Sequence, residues 1–250
     1  MKRLLFLLVL QVLIFPVYAQ FSDDFSAGTL SDVWLGDVDR FTVTNEQLQL
    51  NHLDAGPSNT SVLYALAPTN SAQETTWSFN LRLDFSPSGS NFGIVYLAAD
   101  QVPSPGGSWN GYFLRVGGIS GSDDALELFR QDGSSSTLLI SGTVGAVATD
   151  PVMVGVLISR TSAGEWTLEA DYNGGEDYDV EGTATDATYG SGLYFGFACR
   201  YSSTRNMSFF FDDVLVDPVV VDEDPPLAQS VSSEGSNQIV VQFSEPLADA

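Results

Sequence analysis

The sequence predicts an all-β chain folded as a two-sheet antiparallel sandwich or jelly roll, and three observations carry that prediction. In Thr76-Trp77-Ser78-Phe79-Asn80-Leu81-Arg82-Leu83-Asp84-Phe85 apolar residues alternate strictly with polar ones, the pattern of a strand with one face on a core. After the first 19 residues no stretch sustains helical spacing over three turns. Clusters of Gly, Pro, Asp and Ser separate the apolar runs, which is the strand-and-turn rhythm of a sandwich.

The first 19 residues read as a signal peptide. Lys2 and Arg3 precede an apolar run from Leu4 to Ala19, and Val17-Tyr18-Ala19 meets the small-x-small cleavage preference. Gln11 and Pro16 interrupt the run, which falls short of the ~20 apolar residues of a spanning helix. A secreted or cell-surface protein is expected, with no transmembrane span in the mature chain. Strands are expected at Phe92 to Ala99, Tyr112 to Val116, Ala125 to Arg130, Thr137 to Ser141, Val152 to Arg160, Trp166 to Tyr172, Leu193 to Tyr201 and Met207 to Val216. Pro218 to Pro226 reads as a stiff acidic linker, because proline fixes φ and restricts the residue before it. The sandwich is therefore placed over 20–217 and the linker over 218–226.

Composition sets the chemistry that the surface can do. Without Lys2 and Arg3 the chain carries seven basic residues, all arginine, against 32 acidic ones. Such a field repels polyanions, so nucleic acid is excluded as a natural partner. Two uses of the excess stay open: a solvated acidic surface suited to saline surroundings, or carboxylates that bind Ca²⁺, which takes six to eight oxygen ligands. The possible calcium ligands are Asp23, Asp24, Asp212 and Asp213, whose segments lie side by side if the chain's ends pair, and Asn173, Glu176, Asp177 and Asp179 in one loop.

Catalytic groups are sparse. His52 is the only histidine, and no nucleophile-elbow sequence accompanies it. Cys199, also alone, sits in an apolar run and reads as a buried thiol. Glu169 and Asp171 share one strand face and are the nearest approach to a glycosidase pair; a solvated face is the plainer reading. No catalytic residue is assigned. Sugar recognition needs aromatic platforms beside polar groups. The segment Pro103 to Gly111 reads as a loop, so Trp109, with Asn110 and Tyr112, is the candidate ligand contact, whereas Trp34, Trp77 and Trp166 lie in alternating strands and read as core.

Several segments in order carry a resemblance: Phe21-Ser22-Asp23-Asp24-Phe25, Trp34-Leu35-Gly36-Asp37, Asn45 to Leu50, Trp77 to Phe85, Tyr96 to Gln101, Ser108 to Tyr112 and Phe209 to Val214. Together they resemble the N-terminal domain of secreted bacterial surface proteins that carry lamin-tail and Ig-like modules. The resemblance implies a concanavalin A-like or laminin G-like jelly roll with first and last strands adjacent. Gln238 to Pro246 is similar to the opening of a bacterial Ig-like domain, which implies a truncated module over 227–250 and further domains of the same polypeptide beyond it. The expected function is a non-catalytic adhesive or structural module that binds extracellular glycan or cell-surface material; the alternative is a glycan-active hydrolase on the same fold.

Overall fold

A computed structural model describes residues 21–219, 228–234 and 238–243. The expected signal peptide and residues 220–226 of the expected linker lie outside the described residues. The chain divides into two compact units after Val219.

The first unit contains fifteen strands among the described residues. They are β1 (Phe21–Asp23), β2 (Leu35–Gly36), β3 (Phe41–Thr44), β4 (Gln47–Leu50), β5 (Asn59–Thr69), β6 (Glu74–Leu83), β7 (Phe92–Ala99) and β8 (Trp109–Val116). Then follow β9 (Leu126–Gly133), β10 (Ser135–Ser141), β11 (Val152–Arg160), β12 (Glu165–Asp171), β13 (Asp179–Thr185), β14 (Gly192–Tyr201) and β15 (Phe209–Val219). One sheet of eight strands has the order β13-β12-β11-β6-β15-β4-β3, with β1 also on β15; the other, of seven, runs β10-β9-β8-β7-β14-β5-β2. Every pairing is antiparallel. This is the two-sheet jelly-roll sandwich that the alternation predicts.

The ends of the unit meet as expected, with Phe21 opposite Val216 and Asp23 opposite Val214. β15 changes partner on that side: Phe210 and Phe211 pair with β4, and Val214 to Val216 pair with β1. Asp212 and Asp213 occupy the changeover, where the register with β6 also shifts. β15 continues through Pro218 and Val219, two residues into the segment expected as linker. Pro218 still lies opposite Thr75 of β6.

The inward faces of both sheets supply the core. Trp77, Phe79, Leu81 and Leu83 of β6 face Phe195, Phe197, Cys199 and Tyr201 of β14, all at most 2% exposed. Trp77 and Trp166 stack with centroids 5.5 Å apart, and Trp34 stacks on Phe197 at 5.7 Å. The three tryptophans expected in the core are there. Burial pushes the Cys199 thiol well above its ordinary range, so it stays protonated.

In the second unit, β16 (Ala228–Glu234) and β17 (Gln238–Phe243) pair antiparallel, Ala228 with Phe243 and Glu234 with Gln238. The two expected strands form, and two strands do not by themselves distinguish an Ig-like module.

Candidate functional site

The outer face of the seven-stranded sheet is unusual because it is apolar. Strand geometry turns alternate residues outward, and those residues include Tyr64 on β5, Tyr194 and Ala198 on β14, Ile94 and Tyr96 on β7, and Trp109 and Phe113 on β8. Tyr96, Ala99, Trp109 and Ala198 form a second apolar cluster, separate from the core. Small side chains at the centre of β14 leave room between larger walls. A recess of about 160 Å³ results, lined by Ile94, Tyr96, Trp109, Phe113, Ala198 and Arg200 among others. Pro105 and Gly106 of the β7–β8 connection reach its rim.

Trp109 begins β8 rather than lying in a loop, and it is 3% exposed. Its ring meets Tyr96 edge to face at 5.2 Å and Phe113 at 5.9 Å. The Tyr96 side chain lines the recess and is 1% exposed, and its buried hydroxyl has no hydrogen-bond partner among the described residues. Burial holds the phenol protonated well above its ordinary range, so it stands as a donor. Arg200 is exposed at the edge, 5.8 Å from the Phe92 ring. Farther along the face Phe113 stacks on Phe129 at 5.1 Å, and Arg115 pairs with Glu127.

Asn110 and Tyr112 do not join Trp109. Period two sends them to the opposite side of β8, and Gly111 between them approaches β7 so closely that a Cβ there would meet the Ala98 carbonyl at 1.8 Å. Asn110 donates through its backbone and side-chain nitrogens to Asp100 at 2.8 Å each, and its Oδ1 accepts from Gly133 N and Tyr189 Oη. Tyr112 is 1% exposed, packs on Trp166 at 4.4 Å and donates to Asp186 at 2.7 Å. Both side chains build the scaffold.

Sequence reasoning missed Asp186 altogether. Burial pushes its carboxyl up, but donors from Tyr112, Thr188 and Arg130 outweigh that and hold it below the usual carboxylate range. Nothing in its local sequence marks it, since its partners come from β8, β9 and the turn after β13.

Four of the carboxylates considered for calcium accept from N–H and O–H donors. Asp23 accepts from Phe25 N, Ser31 Oγ and Trp34 Nε1, Asp212 from Gln47 Nε2, and Asp213 from Asn80 Nδ2. Asp24 accepts from Ser26. In the other group Asn173, Glu176, Asp177 and Asp179 are exposed, and Asp179 already belongs to β13. That loop is organised around Asp171, whose oxygens accept from the Asn173, Gly175 and Asp177 backbones and from Asn173 Nδ2. Among the described residues no three His, Cys, Asp or Glu side chains converge as a metal-binding group. As arranged, these residues do not fit a calcium shell.

The same hub bears on hydrolysis. The Asn173 and Asp177 N–H groups hold the Asp171 carboxyl below its usual range, so it remains an ionised turn organiser. His52 Nδ1 lies 2.6 Å from Tyr201 Oη, which is 2.7 Å from Ser61 Oγ; the tyrosine stands between histidine and serine.

No protein-family model matches the chain, and no curated protein does. Solved structures match over most of it. The exoplasmic/lumenal domain of VIP36 in a Ca²⁺- and mannose-bound form shares 11% identity with a TM-score of 0.61, covering 92% of this chain and 98% of that one. The fold is a legume-lectin-like jelly roll. A legume lectin-like domain from Entamoeba histolytica aligns with a TM-score of 0.54 at 10% identity, over 75% of this chain and 89% of that one. The carbohydrate-binding module CBM66 from Bacillus subtilis aligns with 0.50 at 14%, over 74% and 97%. At these identities the likeness shows the fold. Among the described residues no helix is long and apolar enough to cross a membrane.

Proposed function

We propose that the first unit is a non-catalytic saccharide-binding module of a secreted or cell-surface protein, with its binding surface on the outer face of the seven-stranded sheet. One observation carries the reading: an apolar recess walled by Tyr96, Trp109 and Phe113 opens on this face with the exposed Arg200 guanidinium at its edge. A pyranose or furanose ring presents C–H groups that pack on the aromatic walls and hydroxyls that Arg200 engages.

Relatives in fold support this choice of ligand class, since VIP36 was solved with mannose and CBM66 is named for carbohydrate binding. The adhesive or structural role follows from the same surface, as a module that grips glycan and leaves it intact. The hydrolase alternative loses its pair, because Asp171 is committed to its own turn. Calcium enters no step of this reading.

The test is an array of oligosaccharides, mannose-containing chains included, probed with the labelled full chain and with Arg200→Ala. Binding that falls about tenfold in the variant supports the reading, as expected for loss of a charged hydrogen bond. Failure of the wild type to bind any neutral or acidic saccharide on the array contradicts it.

A further inference from the structure

Arg160 is a buried cation without a counter-charge among the described residues. It ends β11 on the core side and is 4% exposed. Arg40, Arg82, Arg115 and Arg130 each pair with a carboxylate, and Arg200 is exposed. Among the described residues Arg160 pairs with none, and its Nε is buried without a hydrogen-bond partner. In a chain with 32 acidic residues this is a conspicuous pairing to lack. The Trp166 ring lies 5.8 Å away, and a cation–π contact at that range returns far less than desolvating a guanidinium costs.

A second group points to the same spot. Thr75, opposite Arg160 in the β6–β11 register, is 1% exposed, and its Oγ1 has no partner either. A recess of about 10 Å³ adjoins both residues and is also lined by Thr69, Tyr189, Gly190 and Ser191. That volume is on the order of a single small ion or water molecule, which makes a monatomic anion the simplest occupant. Both groups can donate, and a guanidinium has no acceptor capacity.

We infer that this recess binds one monatomic anion, chloride, held by Arg160 as counter-charge and by the Thr75 hydroxyl as donor. A water molecule satisfies the donors but leaves the buried charge uncompensated. The acidic surface opposes anion entry, so occupancy requires high chloride, the condition in which that surface is also screened. This site is independent of the saccharide reading.

Bromide tests it directly. Crystals of the full chain equilibrated with sodium bromide are expected to show an anomalous peak between Arg160 and Thr75; absence of that peak overturns the inference. Melting gives a second readout on the intact protein. The excess melting temperature in NaCl over sodium gluconate at equal ionic strength is expected to be larger for the wild type than for Arg160→Met or Thr75→Val, and to grow with chloride concentration. Equal excess in all three proteins overturns it.

Discussion

Tyr96 and Trp109 meet edge to face on the outer surface of the seven-stranded sheet, with centroids 5.2 Å apart and planes at 84°. The two side chains differ in what they give the fold. Trp109→Ala removes a buried indole and is expected to cost about 3–5 kcal/mol in urea unfolding. Tyr96→Phe keeps the ring and deletes a buried hydroxyl that has no partner among the described residues, so stability is expected to hold or rise. A destabilised Tyr96→Phe variant contradicts the unpartnered state of that hydroxyl.

Asp23 ties the first strand to the core. Its Oδ2 accepts from the indole of Trp34 at 2.8 Å, and Trp34 is 2% exposed. Asp23→Ala strands two donors, Trp34 Nε1 and Phe25 N, and is expected to cost about 1–3 kcal/mol. Asp24→Ala, which touches only Ser26, is expected to leave the unfolding midpoint unchanged. Equal effects from the two substitutions contradict this division of labour.

Asp186, which is buried, and Asp212, which is half-buried, have opposite pH signatures. Burial raises the Asp212 pKa, with Asp213 and Asp24 adding repulsion, so its charged form destabilises the fold. That penalty is absent below the unfolded carboxylate value of about 4 and complete above the folded one. Asp212→Asn is therefore expected to raise the melting temperature at pH 7, with the gain vanishing toward pH 3. Asp186 is held low, so its contribution is present above about pH 4 and lost as pH falls through its folded value. Asp186→Asn is expected to destabilise at pH 7 and to converge with the wild type in acid. Melting curves from pH 3 to 8 check both signs.

Calcium and magnesium are expected to give coincident melting curves at equal ionic strength, because among the described residues the candidate carboxylates do not converge as a metal-binding group. A rise specific to calcium that Asp177→Asn or Asp212→Asn removes contradicts that geometry.

Most of the architecture was legible because apolar alternation and turn residues report directly on a half-buried strand. β7 and β11 have the expected bounds, and the first and last strands of the unit are adjacent, as the resemblance implied. β5 and β13 were not read. On β5 the outward residues Tyr64 and Leu66 are apolar as well, and Pro68 interrupts the run. β13 is a largely exposed edge with Val180 62% exposed, so it has no apolar face to alternate. The site was half legible. Trp109 was visible as an indole near a Gly-rich segment, but Asn110 and Tyr112 were grouped with it by adjacency, and adjacency along a strand means opposite faces. Tyr96 stayed hidden in an apolar run, since only the register shift between Tyr96 and Ala98 decides where each side chain points.

The central claim is the location of the binding surface, and amide chemical-shift mapping tests it most directly. Titration of the ¹⁵N-labelled chain with an oligosaccharide selected from the array is expected to move Phe92 to Tyr96, Trp109 to Phe113 and Ala198 to Arg200. Shifts confined instead to the recess of about 130 Å³ beside Asn80, Arg82, Met153 and Phe210 on the eight-stranded sheet would contradict the account.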